Sequence, residues 1–385
     1  MIPYGRQDIS QADIDAVVEV LRSDFLTQGP VVPLFEQSLA KKVGADFAVA
    51  VNSATSALHL AVSSLGLGKG DLLWTSPITF VASSNCALYC GADVDFVDID
   101  PDSFNMCPVA LKKKFEEAEA KGKLPKIIVP VHMCGQSPKA DEIAKLARSY
   151  GVKIVEDASH AIGAKYQGKY VGDCRFSDIT VFSFHPVKII TSAEGGLATT
   201  NDPELAQKMA LLRSHGITRD PSLMTHESHG PWYYQQVDLG YNYRMTEMQA
   251  ALGLSQLSRL DEFVARRNVL AKNYGSLLVD LPVKTPVIHR EAYSAFHLYV
   301  IRLQLNKIRR SHKEVFERLR TNGVGANLHY IPIHTQPYYR TLGFSDGDFP
   351  LSEQYYNEAI SIPLYPGLSK ESQSWLVNML RDAIV

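Results

Sequence analysis

With 385 residues, 45% of them apolar and 21% charged, the chain has the make-up of a globular protein large enough for one big domain and a smaller one. A net charge of −2 argues against a general binder of nucleic-acid backbones, and no apolar run approaches the roughly 20 residues of a membrane helix. The opening Met1-Ile2-Pro3-Tyr4-Gly5-Arg6-Gln7-Asp8 lacks a secretory pattern, and five cysteines without framework spacing read as reduced thiols of a cytoplasmic protein.

Residues 10–23 read as a helix capped by Ser10, with Asp13 in its first turn. Short β-branched or apolar runs follow at 46–51, 71–76, 94–99, 126–132, 152–156 and 178–183, the earlier ones separated by helical stretches at 54–65, 79–90, 109–121 and 138–150. Near-continuous apolar strands alternating with amphipathic helices predict an α/β fold with a mostly parallel central sheet covered on both faces. A long helical segment over 245–275 changes the rhythm. Strand-like 296–303, a helix near 311–322, strand-like 325–331 and a last helix from 369 then predict a smaller C-terminal α+β domain. The division is expected near residue 255, giving 1–255 as the large domain and 256–385 as the small one. The aperiodic stretch 219–236 reads as a loop. His226 and His229 within it, like Cys86 and Cys90, lack the companions of a metal site, so no metal is expected.

Sheets of this type bind ligands at the carboxyl ends of their strands, so those ends carry the functional reading. The first strand runs into Asn52-Ser53-Ala54-Thr55-Ser56, small and hydroxylated, opening a helix whose N-terminus can hold a phosphate. A simple N-cap accounts for the same residues. Asp157 ends another strand, where it either caps the next helix or faces a positively charged ring nitrogen. Lys188 follows the strand that ends at Ser183, in apolar company and ahead of Gly195-Gly196. Such a lysine is suited to covalent attachment of a carbonyl cofactor, although most lysines are solvated surface groups.

Together these segments resemble the DegT-type sugar aminotransferase family of fold type I pyridoxal-phosphate enzymes. The resemblance rests on Asn52-Ser-Ala-Thr-Ser-Ala-Leu58, Asp157-Ala-Ser-His160, Phe182-Ser-Phe-His-Pro-Val-Lys188, Glu194-Gly-Gly196 and Gly240-Tyr-Asn-Tyr-Arg-Met245. It implies pyridoxal 5′-phosphate as cofactor, Lys188 as its Schiff-base lysine and Asp157 as the partner of the pyridine nitrogen. It further implies cofactor contacts from Ser53, Ala54, Thr55 and Ser183, His160 beside the phenolic oxygen, and Phe80 stacked on the ring; bare sequence would also allow Phe80 a place in the core. Asn242 matches a residue that reaches the neighbouring subunit's phosphate, which implies a homodimer with shared sites. Leu26-Thr-Gln-Gly29, Arg213-Ser-His-Gly216 and His329-Tyr-Ile-Pro-Ile-His334 look like the branch serving pseudaminic acid synthesis. That branch implies L-glutamate as donor and C4 of a UDP-linked 4-keto-6-deoxy-N-acetyl-hexosamine as acceptor. Arg244, His329, Tyr330 and the 219–236 loop are candidates for the substrate side, and core packing accounts for Tyr330 about as well. Other nucleotide-sugar aminotransferases, acting at C3 or on dTDP-sugars, remain open. Relatives that dehydrate sugars carry histidine where Lys188 stands.

Overall fold

The computed structural model describes residues 1–384. Seven strands form the large sheet: β1 (Phe47–Val51), β2 (Leu72–Thr75), β3 (Asp93–Phe96), β4 (Ile127–Val129), β5 (Lys153–Asp157), β6 (Ile179–Ser183) and β7 (Gly196–Thr200). Their spatial order is β1-β7-β6-β5-β4-β2-β3. The run from β6 to β3 is parallel, as its apolar strands predict, whereas β7 lies antiparallel to both β1 and β6. The sequence reading has no strand at β7, because Gly-Leu-Ala-Thr-Thr is small and poor in bulky β-formers.

Helices α1 (Gln11–Arg22), α2 (Val31–Val43), α3 (Ala54–Ser64), α4 (Ala82–Tyr89), α5 (Pro108–Ala120), α6 (Ala140–Ser149), α7 (Pro203–Leu212), α8 (Glu247–Leu257) and α9 (Leu260–Leu277) surround this sheet. Side chains alternate between its two faces. Val49, Val51, Leu73 and Val181 pack with Leu58 and Ala61 of α3 on one side. On the other, Ala50, Phe182 and Leu197 pack with Phe35, Leu39 and Phe263. No helix among the described residues is long and apolar enough to cross a membrane. All five cysteines are free thiols.

The small unit holds an antiparallel sheet of β8 (Val283–Lys284), β9 (Tyr299–Leu303) and β10 (Ala359–Ile362), with α10 (His312–Thr321), α11 (Pro350–Glu358) and α12 (Lys370–Ile384). The strand expected over 325–331 is reduced to isolated bridges at Val324 and Asn327. There the Asn327 side chain accepts from the Leu328 N–H at 2.8 Å and competes with the ladder.

The helical segment 245–275 is two helices, broken at Ser258–Arg259. Arg259 turns aside to bind Asp8 and the buried Asp13 carboxylate, each at 2.7 Å. Asp13 also accepts from Ser255 and Gln256, so the first helix is tied to this break. Along α9 the two cores meet. Phe263 and Val264 pack with the large unit, whereas Leu270, Ala271 and Tyr274 join the small one. The first residues, expected to travel with the large domain, run beside the small unit instead. The Ile2 carbonyl accepts from Gly325 N–H at 2.7 Å, and Leu364 N–H donates to the Tyr4 carbonyl at 3.0 Å.

Candidate active site

Strand register lines up the ends named above. Val51 lies opposite Gly196, Gly196 opposite Ser183, and Asp157 opposite Val181. From Val51 the chain turns through Asn52 into α3. The Ser53 hydroxyl accepts from the Ser56 N–H at 3.1 Å, so it does serve as an N-cap. The first-turn N–H groups of Ala54 and Thr55 have no acceptor inside the helix and lie at the positive end of its dipole. A side chain at Gly196 would meet the Ser53 carbonyl carbon and oxygen at 2.4 Å and Ala54 N at 2.5 Å. Only glycine lets β7 lie this close to the start of α3.

Asp157 is buried at the end of β5. Its Oδ2 accepts from the Ser83 hydroxyl at 2.6 Å and its Oδ1 from the Ser159 N–H at 3.1 Å. Ser83 is itself 2.8 Å from the Thr79 hydroxyl. These bonds use part of the carboxylate's four or so acceptor positions and leave others open.

Lys188 sits half-buried in the turn after β6. Burial lowers its pKa to about 8, against the charge of Asp157, which raises it. Burial, and then the charge of Lys188, hold His160 well below the usual imidazole range and bring His329 to about 4. Both are neutral at physiological pH. His160 Nε2 lies 3.1 Å from the Tyr330 hydroxyl, and its ring centroid is 4.4 Å from that of His297. The Nδ1 atoms of His160 and His297 are buried without a partner. Phe80, 57% exposed, is not a core residue; its ring centroid stands 6.2 Å from that of Tyr330.

Asn242 and Arg244 share one segment. Their segment runs beside the end of β1, where Arg244 bridges Val51 and the Tyr243 carbonyl accepts from Asn52 N–H. Asn242 is exposed. Arg244 Nη1 is 3.3 Å from Ser214 Oγ and lines a cavity of about 200 Å³ with Arg213 and Gln28. His329 Nδ1 is 2.8 Å from Ser361 Oγ, which fixes it to the small sheet. No group of three metal-binding side chains occurs among the described residues.

Ser83, His297 and Arg267 join the site without having been singled out in the sequence. The fully buried Arg267 donates to the carbonyls of Phe296, His297 and Leu364 and so fixes the turn carrying His297. The Thr79–Ser83 spacing of four was the available signal for a hydroxyl pair. His297 was hidden inside a strand-like run.

The sequence model of the DegT/DnrJ/EryC1/StrS aminotransferase family matches residues 7–381. The chain belongs to this family. The aminotransferase is 38% identical to the spore coat polysaccharide biosynthesis protein SpsC of Bacillus subtilis, over 100% of this chain and 97% of that one. It is 35% identical to the UDP-4-amino-4,6-dideoxy-N-acetyl-beta-L-altrosamine transaminase of Campylobacter jejuni, over 99% and 96%. Its structure superposes on PseC of Helicobacter pylori, an aminotransferase involved in the biosynthesis of pseudaminic acid, with TM-score 0.91, 33% identity and coverage of 100% and 99%. Spr1654 of Streptococcus pneumoniae, solved in a PMP form and a PLP form, superposes at TM-scores of 0.90 and 0.87, with 29% and 28% identity; the two comparisons cover 100% and 99% of this chain and 99% and 98% of that one.

The fold is that of a pyridoxal-phosphate aminotransferase, and pyridoxal phosphate is the cofactor of this enzyme. The residues present suit such a group. Gly196 leaves backbone N–H groups clear at the start of α3, His160 Nδ1 is buried and unpartnered, and Asp157 keeps acceptor positions free.

Proposed function

We propose that this aminotransferase works as a cytoplasmic homodimer that transfers the amino group of L-glutamate to C4 of a UDP-linked 4-keto-6-deoxy-N-acetyl-hexosamine of the pseudaminic acid pathway. One observation carries the reading: the start of α3, Asp157 and the turn bearing Lys188 lie at the ends of strands that register brings side by side. The names of the Campylobacter and Helicobacter relatives support the sugar.

Bound pyridoxal phosphate supplies a carbonyl that exchanges amines and a protonated ring that stabilises the charge left when a proton is removed. Lys188 would hold that carbonyl and, once freed by an amine donor, would serve as the base and acid that moves a proton at the substrate carbon. Asp157 would face the ring nitrogen and keep it protonated. The Ala54 and Thr55 N–H groups, the Ser53 and Ser183 hydroxyls and, across a dimer, the partner's Asn242 would hold the phosphate. His160 would neighbour the phenolic oxygen and Phe80 would cover the ring, while Arg244, His329 and Tyr330 would serve the substrate.

The test is the absorbance of the pyridoxal-phosphate-loaded protein before and after L-glutamate, followed by the UDP-keto-sugar and mass analysis of the product. A visible band that bleaches with glutamate and returns with the sugar, alongside an aminated nucleotide sugar, supports the reading. Bleaching without return on this sugar overturns the substrate. A band indifferent to glutamate overturns the donor.

A further inference from the structure

Thr79 and Ser83 lie one helical turn apart at the entry to α4, both buried and both hydroxylated. A serine in such a turn commonly returns its hydroxyl to a backbone carbonyl of the preceding turn. Neighbouring Ser84 does so, donating to the Val81 carbonyl at 3.0 Å. Ser83 instead sends its proton to Asp157 Oδ2, 74 residues on, at 2.6 Å. That length is typical of a hydroxyl bound to an ionised carboxylate. With its own proton committed, Ser83 Oγ is the acceptor in its 2.8 Å contact with Thr79 Oγ1, so Thr79 donates.

We infer that Thr79 and Ser83 form a two-hydroxyl relay that positions Asp157 and supports its negative charge, and so maintains the protonated state of the cofactor's ring nitrogen. The inference rests on the reading of Asp157 as the acid that faces that nitrogen. Ser83 acts through Asp157; it is a positioning residue. Direction matters to the argument. With Ser83 donating to Oδ2 and Thr79 to Ser83, the relay holds the carboxylate in one orientation. The Ser159 N–H on Oδ1 can only donate, and it adds to the same hold. The carboxylate is left with its unused lone pairs in a fixed direction, which is what a ring N–H requires of its acceptor.

The test uses the full-length protein loaded with pyridoxal phosphate labelled with nitrogen-15 in the ring, whose chemical shift reports protonation directly. Wild type, Ser83→Ala, Ser83→Thr, Thr79→Val and Asp157→Asn are compared across pH, with kcat and KM measured alongside. The expected result is a protonated signal in wild type and Ser83→Thr. Ser83→Ala moves toward the unprotonated signal, with kcat lowered roughly tenfold, the scale of one charge-assisted hydrogen bond, and KM little changed. Thr79→Val, which keeps shape but removes the second donor, shifts the same way by less. Wild-type signals in both Ser83→Ala and Thr79→Val overturn the relay, and if Ser83→Ala fails to fold, Thr79→Val decides alone. Asp157→Asn separates the two layers. A lost protonated signal there, with Ser83→Ala unchanged, sinks only the relay; an unchanged signal in Asp157→Asn sinks the reading of Asp157 itself.

Discussion

Ser53 and Gly196 meet backbone to backbone: a Cβ added to Gly196 would stand 2.4 Å from the carbonyl carbon of Ser53. The contact joins the end of β1 to the start of β7 and keeps the first N–H groups of α3 uncovered. Neither partner in the contact is the end of a flexible side chain, so the strand or the helix must move. Gly196→Ala is expected to weaken pyridoxal-phosphate binding by about tenfold or more and to destabilise the protein by roughly 1–3 kcal/mol. Equilibrium dialysis of the cofactor and thermal melting of the cofactor-free protein check the two effects separately.

Lys188 must be unprotonated to capture a carbonyl. Its pKa of about 8, down from 10.5, places that change within the working range. The rate at which cofactor-free protein takes up pyridoxal phosphate is therefore expected to rise about tenfold per pH unit below that value and to level off above it. Stopped-flow absorbance gives the profile. Lys188→Ala should lose both the visible band and turnover, and full activity in that variant would remove Lys188 from the reading.

Arg267 is a buried guanidinium with no carboxylate of the described residues against it, its pKa lowered to about 10 by burial. Three backbone carbonyls receive its Nη1. Removing the side chain strands those carbonyls and frees the turn that presses His297 on His160. Arg267→Ala is expected to destabilise the protein by about 3 kcal/mol, as for other broken buried charge networks. Urea unfolding measures the loss. The cofactor band should also shift in this variant, since the wall beside His160 loosens.

Asn242 is exposed in the single chain. If it completes the partner's site, Lys188→Ala and Asn242→Ala subunits should rescue each other. Random mixing makes half the dimers hybrid, each with one intact site of two, so about a quarter of wild-type activity is expected. Activity no greater than the sum of the two variants would show that sites are not shared.

Much of this was legible in the sequence. The strands ending at Val51, Asp157 and Ser183 announce themselves by continuous apolar runs, and each points to a polar group of the site. The antiparallel β7 was not legible, because small residues wedged between two neighbours need no strong propensity of their own. Nor was the break at Ser258–Arg259. Apolar periodicity runs on through it, and the turn is imposed by Asp8 and Asp13, some 250 residues earlier in the chain. Phe80 shows the limit of periodicity from the other side: its apolar spacing suits a core, yet it is left exposed beside Tyr330.

The first residues and the last described helix both join the smaller unit: Ile2 pairs with Val324, and α12 packs on α10. Topologically, then, the large sheet is an insertion between two pieces of the small one. During synthesis the large sheet can close once α9 has emerged, while the first residues wait for strands and helices made last. Order of assembly follows from this. The strand ends that carry Ser53, Asp157 and Ser183 can form early, and His329 is set in place later, when Ser361 of the small sheet is made.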